Sequence, residues 1–194
     1  MDENASPVGK IWEAISKGDV KRARDLLVEH PDQINSPIPF GGGTFLHLAA
    51  SKDNVEMVKS LVDIGFDINK ESVSEGDTAL ATASSYGNYS VVRYLLDNGA
   101  LIDTSSPAKN PLFGSIIGRS LAIAELLLRR GVDSSVRYTG DNMKNMDAIA
   151  FALERGERDI ALALAKWNAK GDALATEKLM TNAMEVARAN NSPK

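Results

Sequence analysis

Apolar residues come along this chain in short bursts at helical spacing, broken by turns of glycine, asparagine and aspartate. Val58, Leu61 and Val62 mark one stripe, Val92, Leu95 and Leu96 a second, and Ile123, Leu126 and Leu127 a third. Recurrence at three and four residues puts each burst on one helix face, the face that has to be buried. The bursts predict helices over 8–16, 20–29, 45–52, 55–63, 79–86, 89–97, 111–117, 121–129, 148–154 and 158–166. A last segment, 172–190, is expected to form one or two more helices with Ala173, Leu174, Leu179, Met180, Ala183, Met184 and Ala187 on its apolar side.

The bursts are copies of one another. Thr44-Phe45-Leu46-His47-Leu48-Ala49-Ala50, a helix ending in Leu61-Val62, and Gly65 return 34 residues later as Thr78-Ala79-Leu80-Ala81-Thr82-Ala83, Leu95-Leu96 and Gly99. Leu46 matches Leu80, Ala49 matches Ala83 and Val58 matches Val92. The two copies resemble ankyrin repeats, whose period is about 33 residues and whose signature is T-P-L-H-x-A before a second helix and a glycine-ended turn. Phe45 and Ala79 stand where the signature has proline, which loses a helix-start preference but not the fold. Weaker copies open at Pro111-Leu112 and at Asp147-Ala148-Ile149, and a half-match around Trp12 precedes them all.

The resemblance implies an all-α ankyrin-repeat solenoid forming a single domain over 1–194. In it, 8–37 is a degenerate capping repeat, 40–73 and 74–105 are clear repeats, 106–139 and 140–170 are divergent ones, and 172–190 caps the end. Thr44 and Thr78 are expected to cap first helices. Ala49 and Ala83 leave room for helices to approach, and Gly65, Gly99 and Gly131 turn the chain at positive φ, with Asn168 doing so in the last repeat. His47 is expected to hydrogen-bond a neighbouring turn, the use the family makes of that histidine.

Composition narrows the function. The chain of 194 residues has no cysteine, which excludes disulfides, thiolate metal sites and a cysteine nucleophile. A net charge of -4 argues against a nucleic-acid partner, and the lack of any run of 18 apolar residues against a membrane one. With a polar start, the chain is read as cytoplasmic. His30 and His47 are its only histidines, and neither lies near a nucleophile elbow. The run Gly41-Gly42-Gly43-Thr44 lacks the Gly-Lys-Ser/Thr of a phosphate cradle and is better taken as a turn. No catalytic, metal or cofactor residues are therefore assigned.

What is left is a surface. The resemblance places binding positions at the loop tips and on the exposed end of each first helix. They are Phe40, Glu75, Asp77, Lys109, Tyr138, Met143, Lys144 and Met146 at the tips, with Lys52, Ser85, Tyr86, Ile117, Glu154 and Arg155 on the first helices. Aromatic residues and methionine are enriched at protein interfaces, so Phe40, Tyr86, Ile117, Tyr138, Met143 and Met146 are candidate anchors. Phe40 and Ile117 equally fit burial inside irregular repeats. The spacing from Leu112 to Ile149 is 37 against 32 from Leu80 to Leu112, so 136–145 is expected to be a longer polar loop. Residues 38–103 hold 4 basic against 9 acidic side chains, and 104–194 hold 13 against 10. Glu71, Glu75 and Asp77 at one end, with Lys109, Arg137, Lys144 and Arg155 at the other, should give the groove a field running from negative to positive.

The expected function is non-catalytic binding of another protein by a chain that is monomeric on its own. One alternative is an inhibitor, such as a bacterial immunity protein neutralising a toxin, a use that a stand-alone stack would fit. An enzyme is the other, and it lacks a base beside a nucleophile.

Overall fold

The computed structural model describes residues 6–39, 41–140 and 143–191. Eleven α-helices lie within them: α1 Pro7–Ser16, α2 Val20–Glu29, α3 Phe45–Ser51, α4 Val55–Asp63, α5 Ala79–Ser85, α6 Tyr89–Asp97, α7 Pro111–Ile117, α8 Leu121–Arg129, α9 Ala148–Glu154, α10 Arg158–Asn168 and α11 Ala173–Asn191. Most starts are fixed by side chains that accept an otherwise orphaned N–H. Thr44 takes Leu46 N–H at 3.2 Å, Asn54 takes Met57 N–H at 2.9 Å, and Asp147 takes Ala150 N–H at 2.9 Å. Thr78 caps α5 in the same way, so α3 and α5 begin on schedule without the proline.

The helices form two layers. The odd-numbered helices α1 to α9 pack side by side in one, and the even-numbered α2 to α10 in the other. Leu46, Leu61, Leu80 and Leu95 are buried in the seam between them, beside Ala49 and Ala83. Each such leucine contributes about 2 kcal/mol by leaving water. From α1 to α7 the first-helix layer is the more closely packed, and this is the inner face. Closest approach falls between α5 and α7, where a Cβ on Gly114 would sit 3.0 Å from the Ala81 carbonyl and one on Gly118 would collide with the Ser84 carbonyl. Asparagines bind the turns outside the layers: Asn35 receives Asp67 N–H at 2.8 Å, and Asn69 receives Leu101 N–H at 2.8 Å.

Gly65, Gly99 and Gly131 have φ of 105, 91 and 85, the left-handed turns expected of them. Asn168 does not. It ends α10, and the left-handed turn falls on Lys170 and Gly171 instead. The Asn168 side chain accepts from Ser134 Oγ at 2.6 Å, a bond made from the helical position.

The long loop is a hairpin. Strands β1 (Tyr138–Gly140) and β2 (Met143–Met146) pair antiparallel with Tyr138 opposite Met146. Tyr138 Oη donates to the Thr104 carbonyl at 2.7 Å and accepts from Asn110 Nδ2 at 3.0 Å. Its ring meets Phe113 edge-on at 5.0 Å, and Phe113 stacks on Phe151 at 4.7 Å. On the other strand, Lys144 N–H donates to Asn190 Oδ1 at 2.7 Å while Asn190 Nδ2 donates to the Lys144 carbonyl at 3.1 Å. The C-terminal segment is one helix, α11, packed on α9 and α10. It buries Thr176, Ala183 and Ala187 with Leu179 and Met180 beside them; Ala173 and Leu174, expected inside, face solvent.

Candidate functional site

On the inner face, α1, α3 and α5 and the turns before them enclose a groove of 250 Å³. Trp12, Leu48, Ser51, Thr82 and Tyr86 line it, with His47 and Asp77 at its floor. Tyr86 is 65% exposed because it caps the C-terminus of α5, where the side chain clears the neighbouring helices. The floor is rigid. Thr44 N–H donates to His47 Nδ1 at 3.1 Å, and His47 Nε2 lies 3.1 Å from the Asp77 carbonyl. A carbonyl only accepts, so Nε2 carries the proton and the ring is the neutral tautomer. Burial pushes the His47 pKa down, and the bond to Asp77 opposes that in part. Both nitrogens are committed to main chain, which leaves neither to act as a base. The Asp77 carboxylate receives Ser72 Oγ and, at 2.9 Å, Thr82 Oγ1, so it braces its own turn.

Of the residues singled out in the sequence, Asp77 and Tyr86 meet in this groove. Lys52 is the counterpart of Tyr86 at the end of α3 and is exposed, as is Ile117 at the end of α7, whereas Ser85 is half-buried. Glu75 is exposed at a turn tip. Phe40 lies outside the described residues. Tyr138 and Met143 line a separate hollow of 400 Å³ with Ser105 to Pro107, and Glu154 lines another beside α11. Arg155 lies 5.0 Å over the Phe151 ring. Lys144 is exposed on the hairpin.

Three expectations need correction. Met146 is fully buried and cannot touch a partner, because strand pairing turns it inward against the core. Tyr138 is 9% exposed; its hydroxyl serves the Thr104 and Asn110 bonds, and its ring is spent on Phe113. The field from negative to positive is weakened at two of its four cations, Lys109 and Arg137. Lys109 Nζ binds Glu71 at 2.7 Å and lies 3.6 Å from Asp103, and Arg137 pairs with Asp147 at 2.9 Å. The bond to Glu71 raises the Lys109 pKa, as expected of a committed ammonium.

Trp12, Leu48 and Thr82 were not singled out as site residues. Thr82 lies one helical turn before Ser85 and Tyr86, a spacing that places it on their face. The glycine run forms a turn: Gly42 C=O accepts Val73 N–H at 2.9 Å and Gly41 C=O accepts Ser74 Oγ at 2.8 Å. Among the described residues no helix is long and apolar enough to cross a membrane, and no cluster of three or more His, Cys, Asp or Glu could hold a metal.

Known proteins share this organisation. A stretch of the rat "Ankyrin repeat and SAM domain-containing protein 6" is 35% identical over 100 residues, covering 52% of this chain and 11% of that protein. A "Putative ankyrin repeat protein" of Rickettsia felis is 30% identical over 120 residues, 60% of this chain and 52% of that one. Mouse "Protein phosphatase 1 regulatory subunit 12A" is 40% identical over 57 residues, 29% of this chain and 5% of its own. The chain thus spans about half or less of these relatives. Residues 11–106 match the family description "Ankyrin repeats (3 copies)", and with paired helices, capped threonines and glycine turns recurring in that register, the chain belongs to the ankyrin-repeat family.

Proposed function

We propose that this chain binds another protein through the groove on the inner face of α1, α3 and α5, with Tyr86 as the main anchor. Ankyrin repeats generally mediate protein–protein interaction and are generally non-catalytic, which sets the class. The observation that carries the finer assignment is Tyr86. A tyrosine 65% exposed at the rim of a groove with a hydrogen-bonded floor provides a large contact area at low entropic cost. Lys52 and Ile117 extend the same row, and exposed Glu75 with the acidic balance of 38–103 favours a basic partner surface. Similarity to part of a phosphatase regulatory subunit agrees with a role exercised through a second protein.

The test is a capture from lysate with the wild-type chain beside Tyr86→Ala and Lys52→Glu variants. A stoichiometric partner that both variants lose supports the inner-face site; a partner that both retain removes it. Titrating the captured partner's own activity with the chain then separates a scaffold, which leaves it unchanged, from an inhibitor such as an immunity protein, which abolishes it.

A further inference from the structure

The inner groove holds one carboxylate whose charge is met by no cation among the described residues. Asp77 accepts Ser72 Oγ on one oxygen and, at 2.9 Å, Thr82 Oγ1 on the other, and both donors are neutral hydroxyls. None of the ion pairs among the described residues includes it. Lys109, before the next first helix, is committed to Glu71 and Asp103, and Lys52 ends α3 at the far end of the groove. His47 beside it is the neutral ring described above.

The turn itself does not require this charge. Asp77 stands one residue before the cap of α5, and the residues in the same place before α3, α7 and α9 are Gly43, Lys109 and Met146. Those turns close without a carboxylate there, so the scaffold does not account for this one.

The surroundings of Asp77 suit a long cationic side chain. The groove of 250 Å³ is smaller than the roughly 300–1,000 Å³ of sites for drug-sized ligands, so it takes one side chain rather than a whole molecule. Its lining contains no lysine or arginine, while Leu48 and Trp12 offer apolar surface on which a methylene stem can lie. Arginine fits better than lysine. Each Asp77 oxygen takes one hydroxyl and keeps one lone-pair site, and a planar guanidinium fork fills two such sites at once. A guanidinium is also the less strongly hydrated cation and stacks on aromatic faces such as Trp12 provides. Tyr86 stands two turns, about 12 Å, from the cap of α5, so it covers neighbouring residues of the partner rather than the cationic head. We infer that Asp77 is the counter-ion of an arginine that the partner protein inserts into the inner groove. The acidic balance of 38–103, 9 acidic against 4 basic side chains, draws such a cation toward the groove before contact. The inference rests on the inner groove being the binding surface and adds the chemistry of what enters it.

The probe is N-acetyl-arginine amide, titrated into the isotope-labelled full chain and followed by amide chemical shifts. N-acetyl-citrulline amide, which keeps the shape and loses the charge, is the comparison. The arginine amide should shift the Leu48, Asp77 and Thr82 amides with a Kd of about 1–10 mM, in keeping with so small a ligand. The citrulline amide should bind about tenfold more weakly or worse, the worth of a charge-assisted bond. Asp77→Asn, with unchanged helical circular dichroism, should weaken the arginine amide by about the same factor. Asp53→Asn, which removes an exposed carboxylate from the turn after α3, should leave it unchanged. Absence of these shifts up to about 20 mM, well above that Kd, overturns the proposal. So does citrulline binding as tightly as arginine, or an Asp77→Asn chain that binds like the wild type. A captured protein partner separates this failure from that of the groove itself: a partner that Tyr86→Ala loses and Asp77→Asn keeps overturns the arginine site alone, and one that both keep overturns the groove as well.

Discussion

Replacing His47 with alanine tests the rigid floor of the inner groove. The imidazole holds two main-chain groups of consecutive repeats, the Thr44 N–H through Nδ1 and the Asp77 carbonyl through Nε2–H. A hydrogen bond of this kind is worth about 1 kcal/mol net, and a buried group left without one costs about 1–3 kcal/mol. The site opens on the groove, so water can reach part of it after truncation, and the total expected loss is about 3 kcal/mol. The pH dependence is the sharper test. Burial holds the folded pKa of His47 below its ordinary value of 6.5, and the unfolded chain therefore binds the proton first as pH falls. The contribution of the ring is complete above pH 6.5 and declines as pH falls below that value toward the folded pKa, with a slope of at most about 1.4 kcal/mol per pH unit. Urea unfolding of the wild type and His47→Ala at pH 7.5 and 5.5 measures both effects. The gap in stability should be about 3 kcal/mol at the higher pH and smaller at the lower one. A gap that is constant or widens on acidification would refute the assignment of a neutral, doubly bonded ring.

Two other substitutions probe packing. Gly118→Ala places a methyl group against the Ser84 carbonyl and the Gly87 backbone, and should cost about 3 kcal/mol in urea unfolding; Gly140→Ala, with open space around its Cβ, should cost almost nothing. Met146→Ala should lose about 2–4 kcal/mol by emptying a fully buried site, while Tyr86→Ala should change stability by less than about 0.5 kcal/mol.

The repeat register was legible because each unit packs on its neighbour at nearly constant spacing, so Leu46 and Leu80, or Gly65 and Gly99, state the same instruction twice. Helix starts were legible where a cap is local, as at Thr44 and Thr78. Met146 was not, because exposed methionine at an interface and buried methionine under a hairpin have the same local sequence; the pairing with Tyr138 decides between them, and it depends on closure of the strands. Asn168 failed for a similar reason. Its bond to Ser134 holds it in the helix, and Gly171 was available three residues later to make the turn. The charge field is weaker than expected because Arg137 is matched by Asp147 in the same repeat and Lys109 by Glu71 about one repeat away, a separation that two other ion pairs share. Glu71 with Lys109, Asp97 with Arg130 and Arg119 with Glu157 are 38, 33 and 38 residues apart, close to the repeat length. Ion pairs sought at that separation would have been found.

A stack of repeats behaves in the simplest case like a zipper, with each unit touching only the next, so its ends fray first and a lost terminal unit leaves the rest intact. The hairpin alters that rule at one end. Through Tyr138 it reaches back to Thr104 and Asn110, and through Lys144 it grips Asn190 near the end of the last helix. These bonds close a ring of chain from 104 to 190, so α11 cannot peel away without also loosening the clasp that steadies the turn before α7. The C-terminal part should therefore melt and exchange its amide hydrogens as one cooperative block, while the N-terminal helices, held by neighbours alone, fray step by step.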